Sequence, residues 1–137
     1  VHVAVGTDIV CMHPEYPAAA VGEASYRDFL ALAGVVRCLE GGVFVNAGSA
    51  VILPEVFLKA ASIACNLGMK LDAVATAVID QVRHYRPDKN VLERPGGEGI
   101  FIGGRLEKVL PLLRWALMAE AASHGGSTPL EEPHRKN

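Results

Sequence analysis

Apolar residues along the chain alternate between short β-branched runs and stretches spaced three and four apart, with Gly or Pro at most of the changeovers. "VHVAVG" at residues 1–6 predicts a strand that runs into the polar Gly6-Thr7-Asp8. "CMHPEYPAAAVGEA", broken by Pro14, Pro17 and Gly22, predicts an irregular connection. Ser25, followed three residues later by Asp28, resembles a capping box, and Phe29, Leu32, Ala33, Val36 and Leu39 then share a helical face that Gly41-Gly42 closes. "GVFVN" predicts a second, buried strand. From Pro54 onward Val56, Phe57, Ala60, Ala61, Ile63, Ala64 and Leu67 predict a helix with one broad apolar face, ended by Gly68.

"LDAVATAVI" predicts a third strand, with helix as the alternative its alanines leave open. "DQVRHYRPDKNVLERPGGEG" reads as a polar loop, long enough to suggest a function rather than a simple connection. "GIFIGG" predicts a fourth strand and "LEKVLPLLRWALMAEAA" a last helix, which Pro111 either begins or kinks. Strands alternating with helices predict an α/β fold: a Rossmann-like parallel sheet with helices on both faces, over residues 1–122 as one domain. Residues 123–137, all Gly, Pro, polar and charged positions apart from one Leu, are expected to be a disordered tail.

Composition narrows the partners. The 137 residues are half hydrophobic, with a mean hydropathy of +0.26, an excess that in a small domain points to a sheet buried on both faces or to an interface that awaits a partner. No apolar run approaches the ~20 residues of a membrane helix, so no membrane partner is expected. A net charge of −2 without a basic stripe, and 6% aromatic residues, argue against nucleic acid. Cys11, Cys38 and Cys65 are odd in number and scattered, which fits reduced thiols in a cytoplasmic protein.

Candidate chemistry gathers in three places where loops follow strands, the side on which open α/β sheets bind ligands. In "NAGSA", Asn46, Gly48 and Ser49 precede a helix, and small residues there would let backbone N–H groups approach a phosphate. The same residues could equally make a tight corner, with Asn46 and Ser49 as local caps; neither a G-x-G-x-x-G fingerprint nor a Walker lysine is present. Asp8 ends the first strand, where a carboxylate could hold a ribose hydroxyl or an amine, or make an Asx turn. "RHYRPDKN" places Arg83, His84, Tyr85, Arg86 and Lys89 together, able to bind an anion or to work as acid and base, or to be a solvated loop anchored by Tyr85. His84, Arg86 and, ahead of Pro14, His13 are the catalytic candidates. Cys11 and His13 are too few for a zinc site, so no metal is expected. Glu55, in a helix's first turn, needs no role beyond complementing the dipole, and Trp115 reads as core or interface.

"GTDIVCMHP", "GEASYRDF" and "NAGSAVILPEVFLKA" resemble a group of mostly uncharacterised bacterial proteins similar to deoxyhypusine synthase, over about Val1 to Ala122. The resemblance is to the C-terminal half of that family, so the chain is expected to be part of a longer protein. It implies a sheet of the deoxyhypusine synthase type, NAD at the carboxyl ends of the strands near Asp8, Asn46, Gly48 and Ser49, and a homo-oligomer with sites between subunits. The activity implied is that of an NAD-dependent transferase or dehydrogenase acting on a small amine or an anionic substrate. A non-catalytic structural or oligomerisation unit of the same fold is the alternative. In the true synthases an imine-forming lysine lies in a W-G-K element; the matching stretch here is "NVLERPGG", with Glu93, Arg94 and Pro95 and no lysine in register. Lys89 lies earlier and does not take that place, and "RHYRP" stands where the family has an acidic amine-binding loop.

Overall fold

The computed structural model describes residues 9–124. The predicted first strand and Asp8 lie outside them. The chain divides into one compact unit that runs to Leu106 and a second that begins at Glu107.

The first unit is an α/β layer. A 3-10 turn, Ile9–Met12, leads to helix α1 (Ala18–Val36), strand β1 (Val43–Ala47), helix α2 (Ile52–Asn66) and strand β2 (Ala75–Asp80). A single turn α3 (Tyr85–Pro87) runs into a π-helix (Asp88–Glu93), and strand β3 (Gly99–Gly103) follows. The sheet is parallel in the order β1-β2-β3, with Ala47 opposite Ile79 and Asp80 opposite Gly103.

Central β2 resolves the ambiguity of "LDAVATAVI" as strand, with Thr76, Ala77, Val78 and Ile79 all buried in succession. Such a run is what a parallel strand between two others shows, in place of alternation. One sheet face carries Phe44, Thr76, Val78 and Phe101 against the helices, and Phe44 stacks on Phe57 of α2 with ring centroids 3.6 Å apart. Ala60, Ala61 and Ala64 recur at helical spacing and let α2 pack closely; with Val36, Leu71, Val74 and Val91 they close the core. The opposite face exposes Val43, Val45 and Ile100, while Ala77 and Ile79 of central β2 on that same face are buried.

Three local expectations change. Helix α1 begins at Ala18, seven residues before Ser25, because Ala18-Ala19-Ala20 directly after Pro17 is a strong helix-forming run; the Ser25 and Asp28 pair sits inside the helix instead of capping it. α1 also ends at Val36, leaving Leu39 in the following turn. The polar loop predicted at 80–99 is partly helical: Pro87, Asn90 and Val91 are buried, and the Arg94 N–H donates to the Lys89 carbonyl at 3.0 Å, the five-residue bond of a π-turn.

α2 ends as Gly68 predicts. Gly68 takes φ +84°, its N–H donates to Cys65 and the Met69 N–H donates to Ala64, the paired bonds of a Schellman motif.

The second unit is helix α4 (Leu106–Ser123) from Glu107 on, with Pro111 in its interior and no buried residue; Leu112, Trp115, Leu117 and Met118 are all exposed. The helix thus includes Ser123, where the tail was expected to begin.

Candidate functional site

The carboxyl ends of the strands meet in one row. The Gly48 N–H donates to the Ile79 carbonyl and the Gly104 N–H to the Asp80 carbonyl, both at 2.9 Å, so the turns after β1, β2 and β3 lie side by side.

The turn after β1 is held from within. Asn46 is buried, its Nδ2 donates to the Ser49 carbonyl at 2.9 Å, and Ser49 Oγ accepts from the Leu53 N–H at 3.2 Å. Of the first four helical N–H positions, Leu53 is thereby taken by Ser49, Pro54 has none, and Glu55 reaches the Val51 carbonyl at 3.4 Å. A helix N-terminus binds anions through such otherwise unpaired donors, and here the turn itself takes up most of them. Gly48 has φ +67°, and a Cβ on it would stand 2.6 Å from Leu106 Cδ1. In this turn Asn46 Oδ1 is buried without a hydrogen-bond partner, a state that Thr76 Oγ1 and Asp88 Oδ1 share elsewhere among the described residues. A buried acceptor in that state calls for a donor, supplied by water or by a ligand.

β2 ends at Asp80, whose Oδ1 accepts from the Gln81 N–H at 2.7 Å at the start of the next turn. Arg83 follows, pairing with Asp88 at 2.7 Å and lying 5.3 Å over the Phe101 ring. Arg86 approaches Glu55 at 3.5 Å, and Lys89 bonds Glu93. The cations that read as an anion-binding loop are therefore each matched to a carboxylate. Tyr85 is exposed and does not anchor the segment; Val91 and Pro87 do so.

No family model matches the chain, and no curated protein or solved structure matches it.

Glu55 is the residue that sequence reasoning set aside. Its carboxylate accepts from Lys59 Nζ at 2.9 Å and from the Nδ2 of buried Asn90 at 2.7 Å, and Arg94 in turn donates to Asn90 Oδ1 at 2.9 Å. The bond from Lys59, then that from Asn90, with smaller Coulombic contributions from Lys59 and Arg86, holds the Glu55 carboxyl below its ordinary value of 4.5. Glu55 thus ties the first turn of α2 to the π-helix. Only the i, i+4 spacing to Lys59 is visible locally; the partner 35 residues away is not.

Among the predicted residues, Asn46, Gly48 and Ser49 share one turn, and Arg86 joins α2 through Glu55. His84 caps α3, where its carbonyl accepts from the Asp88 N–H at 3.2 Å. His13 is exposed in the turn before Pro14 and its Nδ1 accepts from the Glu15 N–H at 3.2 Å; no hydrogen bond joins it to His84 or Arg86. Among the described residues no group of three or more His, Cys, Asp or Glu side chains is arranged to hold a metal ion, and no helix is long and apolar enough to cross a membrane.

Proposed function

We propose that the chain is a subunit of a deoxyhypusine synthase-like protein that binds NAD at the carboxyl ends of β1, β2 and β3. It acts on a small amine or an anionic substrate within a homo-oligomer, in a reducing cytoplasm suited to free thiols at Cys11, Cys38 and Cys65. The observation that carries this reading is Asn46: buried, placed where a parallel sheet receives ligands, and left with an amide oxygen that lacks a donor. A cofactor carboxamide or ribose hydroxyl would supply that donor. With most α2 N-terminal donors already taken, the pyrophosphate would lie along the row of turns at the strand ends and not on the α2 N-terminus alone. Asp8 would serve the same cofactor, and His84, Arg86 and His13 the substrate. Arg86 would have to leave Glu55 to meet an anion. An imine through Lys89 would require that side chain to leave Glu93.

A second reading, an assembly unit of the same fold without catalysis, is favoured by the exposed Val43, Val45 and Ile100 on a parallel sheet and by the exposed Leu112, Trp115, Leu117 and Met118 of α4. Parallel sheets are ordinarily covered on both faces. Both readings expect the chain to self-associate, with Val45→Lys shifting it toward monomer by sedimentation. NAD titration separates them: saturable heat supports the enzyme, its absence the assembly unit.

A further inference from the structure

Away from the strand ends, a cavity of about 220 Å³ opens between the later turns of α2 and the segment after the π-helix. Leu58, Ala61, Leu71 and Pro95 give it apolar walls, while Ser62, Cys65, Asn66 and Arg94 make its polar side. Drug-sized ligands occupy ~300–1,000 Å³, so this space takes something smaller.

Arg94 differs from the other cations of its segment. Arg83, Arg86 and Lys89 each have a carboxylate partner, whereas Arg94 has none among the described residues. It is nevertheless held in place: its Nη1 donates to Asn90 Oδ1 at 2.9 Å, and Asn90, buried, donates to Glu55 at 2.7 Å. That relay uses one of the five guanidinium N–H donors and leaves the others to meet an anion. An oriented, carboxylate-free guanidinium beside a small apolar recess matches one ligand chemistry, a carboxylate on a short aliphatic chain.

We propose that this cavity is a binding site for a short-chain aliphatic carboxylate, its chain among Leu58, Ala61, Leu71 and Pro95 and its head on Arg94. The site is independent of any nucleotide at the strand ends, and its failure would leave the NAD reading untouched.

Cys65 provides the readout, because it lines the cavity and is exposed, while Cys38 is exposed elsewhere and serves as an internal control. Iodoacetamide labelling of the full chain is followed at both cysteines by peptide mass spectrometry, with hexanoate as probe and hexylamine as its cationic counterpart. With hexanoate at roughly ten times its dissociation constant, labelling of Cys65 slows about ten-fold by site occupancy, and Cys38 is unchanged. Arg94→Gln abolishes the protection when the rates with and without probe are compared within the variant, since loss of the guanidinium beside Cys65 also changes the probe-free rate, and an unchanged melting temperature shows that the fold is kept. Equal protection by hexylamine, protection that survives Arg94→Gln, or no protection by hexanoate at concentrations up to its solubility limit overturns the proposal.

Discussion

The Leu106 side chain sits where a Cβ on Gly48 would have to go: the two would be 2.6 Å apart, at a residue whose φ of +67° already disfavours any side chain. The small residue in "NAGSA" therefore has a structural cause that requires no phosphate. Left-handed backbone and close packing against the end of the first unit both ask for glycine, as a tight corner between strand and helix would.

Three glycines with positive φ separate these two causes. Gly41→Ala meets no atom within 4 Å at φ +73°, so it loses only the left-handed preference, about 1–2 kcal/mol. Gly48→Ala costs more by the adjustment of one Leu106 methyl, an increment that vanishes when the substitution is made in a Leu106→Ala background. Gly97→Ala would put its Cβ 2.0 Å from the Val74 carbonyl oxygen, a backbone atom that cannot swing aside, and costs more than about 3 kcal/mol. Urea unfolding of the wild type and of each of these variants tests the order.

Glu55 gives the protein an acid-side dependence. Its carboxyl is held below the ordinary value of 4.5 in the folded chain, chiefly by the Lys59 and Asn90 hydrogen bonds, so the folded state prefers it ionised. The stabilisation is present above the unfolded value and is lost as pH falls through the folded one. Thermal unfolding of the wild type should drop more steeply below pH 4.5 than that of Glu55→Gln, which keeps an acceptor for Asn90 but has no charge to lose. Parallel curves would contradict the role given to Glu55.

The strands β1 and β3 and the Gly68 helix stop were legible because each is written in adjacent residues: β-branched runs bounded by Gly, and a glycine where the apolar spacing ends. The start of α1 was misread because a polar pair at capping spacing outweighed the alanines before it. The segment at 83–94 was illegible for a different reason. Its charges pair with one another and with Glu55, and its anchor, Val91, is an isolated apolar residue in a polar stretch, so no local period announces the π-helix. At the site, sequence picked out Asn46 and Ser49 but not their mutual bond, nor Glu55 as the link to Asn90.

If the 88–93 segment is core-anchored, truncating Val91 will be felt. The residue is fully buried among α2 and sheet side chains, and Val91→Ala removes two methyl groups at a cost of about 1.5 kcal/mol, measured by denaturant midpoint at unchanged slope. Leu92→Ala, which is only partly buried, should cost less.

Nucleotide binding at the strand ends is tested most directly by calorimetric titration of NAD into the full chain and into Gly103→Trp. Gly103 is exposed at the end of β3 without a left-handed φ, and an added Cβ meets only a Phe101 ring carbon at 3.3 Å, so the indole fills the row of turns while the fold is kept. The wild type is expected to bind NAD saturably and Gly103→Trp to lose that binding at an unchanged melting temperature. Absence of binding by the wild type, or equal binding by both, would contradict the proposed nucleotide site.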